Sequence, residues 1–233
     1  MQCKVGVVIP NYKSPIEYVS TAISSSINQS YKPDKICIVD DNSGEEYIKE
    51  LSTIISDNVE IELINHNENR GPSACRNTGI KALWNHVDYF CVLDSDDMLS
   101  FNNIEECVKS ITEDPINIGA IYADYETLHV KDDLRYREYY HPFDYMEMKK
   151  RFVGNGALFL SKKALETSGL YDEDMRTAED YDLCYRIINS NFVILHIPKS
   201  LRTIRVHDNN STNTVSMEIW NKNWMKIRQR YVK

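Results

Sequence analysis

Apolar runs of strand length alternate with stretches of helical periodicity, and this constrains the chain more than any other feature. Val5–Ile9 is apolar and closes on Pro10. Ser14, Pro15 and Glu17 read as a capping box with proline at the first helical position, and Val19, Ala22, Ile23 and Ile27 then recur at helical spacing. Lys35–Val39 reads as a second strand and Tyr47, Ile48, Leu51, Ile54 and Ile55 as a second helix. Glu60–Ile64 is a third strand, Ser73–Trp84 a third helix and Asp88–Leu93 a fourth strand. Strands separated by helices need crossover connections, which give a mostly parallel sheet covered by helices on both faces.

Polar clusters follow these strands in register. Asn11-Tyr-Lys follows the first, Asp40-Asp41 the second, Asn67–Gly71 the third and Asp94-Ser-Asp-Asp97 the fourth. Open α/β sheets bind ligands along the edge formed by the strands' carboxyl ends. Four clusters at four matching ends therefore predict one site.

Beyond residue 115 the pattern loosens. Ile116–Ala123 reads as a strand, but Tyr125–Lys149 is rich in charge and tyrosine without a clear period. Ala157–Leu160 is strand-like, Ser161–Thr167 and Glu179–Ile188 are helical, and Phe192–Ile197 is the last strong strand. These boundaries divide the chain into a first half (1–115), a second half (116–208) and a helical tail (209–233).

With 233 residues and 42% hydrophobic content the chain can bury a core, while its apolar runs are too short to span a bilayer. A net charge of −8 argues against adhesion to nucleic acid. The one basic stretch, Lys222, Lys226, Arg228, Arg230 and Lys233 near Trp220 and Trp224, reads as a solvated helix face or as a membrane-surface patch. The six cysteines are scattered without a CxxC pair, the usage of a reducing compartment. The first strand begins almost at the N-terminus, leaving no room for a signal peptide. The expectation is a cytoplasmic protein, peripheral at most to the inner face of the membrane.

Two or three carboxylates at a strand end can hold a hard divalent cation that keeps water and phosphate oxygens. A calcium loop running from Asp94 to Glu105 fails, because Met98 and Leu99 stand where an oxygen ligand and a glycine are needed. A phosphotransferase of the haloacid-dehalogenase type would carry its acidic pair after the first strand. A solvated acidic turn capping the following helix remains the bland alternative.

Taken together, Ile9-Pro10-Asn11-Tyr12, Val39-Asp40-Asp41-Asn42-Ser43, Asn69-Arg70-Gly71-Pro72-Ser73-Ala74-Cys75-Arg76-Asn77, Leu93-Asp94-Ser95-Asp96-Asp97 and Ala178-Glu179-Asp180-Tyr181-Asp182-Leu183 resemble the family 2 glycosyltransferases of the GT-A fold. The resemblance runs from residue 5 to about residue 208. It implies a Rossmann-like sheet with a smaller acceptor-side portion. It also implies an inverting, metal-dependent transfer of sugar from a nucleotide diphosphate, most simply a UDP-sugar, to an acceptor hydroxyl. Carried over by position, Pro10, Asn11 and Tyr12 line the base, Asp41 or Asp40 binds uracil, and Arg76 lies near the diphosphate. Asp94, with Ser95, and Asp96 form the Asp-x-Asp pair reaching ribose and metal, Asp96 being the favoured direct ligand, with Asp97 beside them. His207 completes the Mn2+ or Mg2+ site or contacts the diphosphate, helped by Arg205. Gly154, Asn155 and Gly156 belong to a loop facing the donor sugar and the acceptor.

Asp180, with Glu179, has a physical reason of its own. Thr177 as N-cap would put both acids in the first turn of a helix, whose dipole favours an ionised carboxylate. A positioned base is what an attacking hydroxyl needs, and the resemblance assigns that role to Asp180. The acceptor expected is a surface glycan or lipid-linked glycan precursor, with a protein or modified nucleic acid as remoter options. The rival readings are a nucleotidyltransferase acting on a sugar phosphate, which would need a glycine- and arginine-rich loop after the first strand, and a catalytically inactive nucleotide-sugar-binding protein.

Overall fold

The first strand, β1 (Val5–Asn11), is buried along its whole length. Its alternate side chains divide between two cores, as strand geometry requires. Val5, Val7 and Ile9 join Val19, Ile23, Leu51 and Ile104 on one face. Val8 joins Ile80, Leu83, Leu165, Leu183 and Ile187 on the other. Helices therefore cover both faces of the sheet, as expected.

The computed structural model describes residues 3–55, 61–113, 117–151, 157–208, 210 and 214–232. Glu60 and Ile116, the expected first residues of two strands, and the loop Phe152–Gly156 lie outside them. The elements are β1, α1 (Ile16–Ile27), β2 (Lys35–Asp40), α2 (Glu45–Ile54), β3 (Ile61–Asn65), α3 (Pro72–Leu83) and β4 (Tyr89–Val92). There follow β5 (Met98–Leu99), α4 (Asn103–Glu113), β6 (Ile118–His129), β7 (Leu134–Glu138), α5 (Tyr145–Met148), β8 (Phe159–Ser161), α6 (Lys162–Ser168), α7 (Glu179–Asn189), β9 (Val193–Val206) and α8 (Met217–Tyr231).

Along the sheet the order is β3-β2-β1-β4-β8-β6-β9-β5, with β7 on β6. The pairs β1·β2, β2·β3 and β1·β4 are parallel. β8 runs against both β4 and β6, β7 against β6 and β5 against β9, so β6, and β9 parallel to it, point the same way as β1. The sheet is thus mostly parallel, and its carboxyl edge extends from β3 across to β9.

Several local features depart from the sequence reading. β1 runs through Pro10 to Asn11 rather than stopping at Ile9; its pairing with β4 ends at Val8, so no ladder donor is demanded of Pro10 on that side. Ser14 does not cap α1: its hydroxyl lies 2.7 Å from that of Ser95, and Pro15 is the N-cap. The aperiodic tyrosine-rich stretch contains the far end of β6 and the exposed hairpin strand β7. The last strand does not end at Ile197. β9 skips over exposed Pro198 and Lys199 in a bulge, with Ala123 facing Ile197 and Asp124 facing Ser200, and continues to Val206.

The basic tail helix is largely exposed, with one face packed on the domain. In α8, Lys226 and Arg230 pair with Asp172 at 3.1 and 2.9 Å, and Arg230 also reaches Asp182 at 2.9 Å. Arg228 donates to the carbonyl of Lys149. Trp224 stacks on Tyr181 and Tyr231 on Tyr185, each pair at 4.9 Å. Lys226, Arg228 and Arg230 are thus tied to the domain, whereas Lys222 is exposed and Lys233 lies outside the described residues. Among the described residues no helix is long and apolar enough to cross a membrane. All six cysteines are free, and all but Cys3 are buried.

Candidate active site

Because β1, β2, β3 and β4 are parallel neighbours, the polar clusters after them arrive along one edge. Asn11 and Asp40 are register partners at the ends of β1 and β2. The Asn11 carboxamide donates to Asp40 at 2.6 Å, and Asp40 also accepts from the backbone N–H and hydroxyl of Ser43 at 2.7 and 2.6 Å. Asp41 accepts from the backbone N–H groups of Arg70 and Gly71 and lies 2.8 Å from His66 Nδ1. Both aspartates are buried. Their oxygens hold the loops after β2 and β3 in place, while Tyr12 stands exposed beside them.

His66 had no assigned role in the sequence reading. Its place could have been inferred from the parallel register, because Asn65 pairs with Asp40 and the next residue must face Asp41. Asp41, His66 and Cys75 form the one group among the described residues whose three ligand atoms lie within 4.8 Å of one another. The geometry argues for a loop anchor. The Asp41 oxygens already accept backbone donors, His66 Nε2 lies 3.0 Å from the Thr78 hydroxyl, and burial drives the Cys75 thiol well above its ordinary range.

The acids after β4 face the ends of β9 and α7. Asp94, partly exposed, accepts from Arg76 Nη2 at 2.9 Å. Asp96 Oδ2 lies 3.0 Å from His207 Nε2 and accepts from Asn210 at 3.2 Å. Buried Asp97 accepts from the backbone N–H of Arg205 at 3.0 Å, while the Arg205 guanidinium donates to the Asp96 carbonyl at 2.6 Å. That guanidinium sits 4.6 Å over the ring of Tyr18, whose centroid is 5.6 Å from that of His207. Burial, then the charges of Asp96 and Asp94, raises the carboxyl of Asp97 far above the usual range. Burial and Asp94 also raise Asp96, with His207 opposing. Carboxylate oxygens suit Mn2+ or Mg2+, while imidazole suits the later transition metals, so Asp96 and His207, with Asp94 two residues away in sequence, are the residues that could hold a divalent cation. Tyr18 and Asn210 complete this cluster and escaped the sequence reading: Tyr18 lies within a helix, and Asn210 looks like a loop residue until β9 is seen to extend to Val206.

Arg76 links this cluster to α7. Its guanidinium is buried, donates to Glu179 as well as to Asp94, and lies 5.5 Å over the ring of Tyr171. Burial alone would lower its pKa, but Asp94 and Glu179 reverse that and hold it well above normal. Asp180 follows Glu179 at the start of α7. Burial, then the neighbouring charge of Glu179, pushes its carboxyl up to about 7, with Arg76 acting in the other direction. The N-cap is Ala178 in the left-handed region (φ 57°, ψ 20°), not Thr177. A non-glycine residue held there is strained. The Thr177 hydroxyl instead accepts from Asn223.

The edge therefore carries the raised carboxyl of Asp180 beside Glu179, which Arg76 joins to Asp94 in the acidic cluster after β4. A family model described as glycosyl transferase family 2 matches residues 6–167. The chain belongs to glycosyltransferase family 2. An uncharacterized glycosyltransferase of Rickettsia typhi is 26% identical over 218 residues, covering 90% of this chain and 66% of that protein. An uncharacterized glycosyltransferase of Rickettsia felis is 31% identical over 91% of this chain and 34% of its own length. The pre-mycofactocin glycosyltransferase of Mycobacterium tuberculosis is 28% identical over 72% of this chain and 36% of its own. This family 2 chain thus spans between a third and two thirds of these relatives. Among solved structures, S. aureus TarS 1–349 in complex with UDP-GlcNAc matches with a TM-score of 0.75 at 15% identity, over 97% of this chain and 66% of that one. At that identity the likeness shows the fold, which is the GT-A architecture expected.

Proposed function

We propose that the chain transfers a sugar from a nucleotide diphosphate to an acceptor hydroxyl in one inverting displacement, with Asp180 as base. The observation that carries this reading is the carboxyl of Asp180, raised to about 7 beside Glu179 at the head of α7. A base works best with a pKa near the operating pH, and such a group accelerates reaction by about 10²–10⁴-fold. Asp180 takes the acceptor proton as the hydroxyl oxygen bonds to the anomeric carbon. The bond from that carbon to the diphosphate oxygen breaks with its electron pair leaving on the diphosphate, so the configuration inverts. Arg76 keeps Asp94 and Glu179 apart and fixed relative to Asp180. When bound by Asp96, His207 and Asp94, Mn2+ or Mg2+ would supply neutralisation of the charge on the departing diphosphate.

Membership of the family supports a nucleotide-sugar donor, and the fold shared with TarS, solved with UDP and with UDP-GlcNAc, favours a UDP-sugar. The base and ribose contacts assigned to Pro10, Asn11, Tyr12 and Ser95, and a role in surface glycan synthesis, belong to the same reading. The loop Gly154-Asn155-Gly156, assigned to donor sugar and acceptor, lies outside the described residues.

The test is a panel of UDP-, GDP- and dTDP-sugars incubated with the protein and Mn2+ or Mg2+, following release of nucleoside diphosphate. Metal-dependent release from one donor class, nearly abolished by Asp180→Asn with donor affinity kept, is the expected result. Failure of every donor to bind or turn over would refute the proposal.

A further inference from the structure

Ala178, directly before Glu179 and Asp180, is held in the left-handed region at φ 57°. A left-handed conformation is strained for an L-residue and persists only where surrounding contacts hold it. α7 has no side-chain N-cap bond of its own to do this. The contacts come instead from α8, which lies beyond the region matched by the family model. The buried carboxamide of Asn223 donates to both the carbonyl and the hydroxyl of Thr177, at 3.2 and 2.9 Å, one residue before the strained position. Around it, Trp224 on Tyr181, Tyr231 on Tyr185 and Arg230 on Asp182 fasten the same face of α8 to the first two turns of α7.

We infer that Asn223 is a positioning residue for the transfer: by fixing Thr177 it holds the left-handed turn at Ala178, and through that turn it aims the carboxylate of Asp180. The inference rests on Asp180 as the base. A carboxamide suits this task because its NH2 group offers two donors, which here satisfy one carbonyl and one hydroxyl in a buried place. Among the described residues the hydrogen bonds of the Asn223 carboxamide go to Thr177 and not to Glu179 or Asp180, which assigns its influence to the backbone at Ala178. A base displaced by about 1 Å can lose on the order of 10²-fold in rate, without any change where the donor binds.

Asn223→Leu removes both donors while retaining side-chain volume, and the full chain carrying it is compared with wild type. Expected are a cooperative thermal transition, donor affinity (measured with UDP-sugar and Mn2+) within about twofold, and kcat lowered by roughly 10–100-fold. The deciding measurement is the double variant Ala178→Gly, Asn223→Leu. Glycine adopts the left-handed turn without penalty, so it should restore kcat at least several-fold over Asn223→Leu alone. Independent structural damage would instead make the two losses multiply. Unchanged kcat in a folded Asn223→Leu protein, equal loss of donor affinity and kcat, or multiplying losses in the double variant would each overturn the inference. Asp180→Asn run alongside separates the two readings. If it keeps wild-type kcat, the base assignment fails; if it is inactive while Asn223→Leu is unaffected, only the positioning role fails.

Discussion

His207 Nε2 lies 3.0 Å from Asp96 Oδ2, although 111 residues separate them in the chain. The contact exists because β9 continues through its bulge to Val206 and delivers His207 to the edge at which β4 ends. Asp94 instead faces Arg76, so the proposed metal site predicts Asp96 and His207 as its direct ligands. Asp96→Asn and His207→Ala are each expected to raise the Mn2+ concentration for half-maximal binding by at least ~10-fold. Titration of the paramagnetic ion by EPR measures this without a turnover assay. Affinity lost only in Asp94→Asn would move the metal to the other acid.

Arg76 is buried between two carboxylates, and a guanidinium can serve both where an ammonium cannot. Its replacement by methionine strands the buried Glu179 carboxylate, a loss of about 3–5 kcal/mol. It also removes the charge that draws the Asp180 pKa down, so the acidic limb of the kcat profile should move to higher pH. Urea denaturation and a pH–rate profile of the folded variant check the two effects. A limb moving the other way would show that Arg76 does not act on Asp180.

The amino-terminal half of the fold was legible because β1, β2 and β4 are buried on both faces and its helices carry one apolar stripe each. The parallel order of β1, β2, β3 and β4 and the polar clusters at their ends follow from those patterns. The second half was not, for local reasons. β7 is exposed throughout, so Leu134–Glu138 shows no apolar alternation. Pro198 reads as the end of a strand when it sits in a bulge that the strand passes over. Asp94, Asp96, Asp97, Arg205, His207, Arg76, Glu179 and Asp180 come together as one site, but their pairing was hidden: the link of Arg76 to Glu179 spans 103 residues. Ser14 and Thr177 have the composition of caps, yet tertiary partners, Ser95 and Asn223, take their hydroxyls.

Asp180 also ties stability to pH. Its folded-state pKa, about 7, lies above the ordinary 3.8, so between those values the folded protein binds the proton that the unfolded chain has released. Its contribution to stability is complete below about pH 4 and declines as pH rises through 7. Asp180→Asn, neutral at every pH, should match wild type in melting temperature near pH 4 and exceed it increasingly toward pH 8. The same titration predicts that wild-type kcat rises as pH passes about 7. Differential scanning fluorimetry across that range tests the stability half, and a pH-independent offset between the two proteins would contradict it.

Gly79 sets how closely α3 approaches the sheet. A Cβ there would stand 2.5 Å from Val8 Cγ1 and 3.4 Å from Val39 Cγ2, both in the buried core. Alanine improves helix propensity by about 1 kcal/mol, but overpacking against a stiff β-branched side chain costs about 1–3 kcal/mol. Gly79→Ala should therefore be destabilised, by up to roughly 2 kcal/mol in urea titration. The clash lies one turn beyond Arg76, so an α3 pushed outward also draws Arg76 away from Asp94 and Glu179. Loss of kcat should accompany the loss of stability, whereas Gly44→Ala, with open space around its Cβ and far from Arg76 in sequence, should lose only what its left-handed backbone costs. A Gly79→Ala protein as stable and active as wild type would mean that the close approach of α3 to β1 does not seat Arg76.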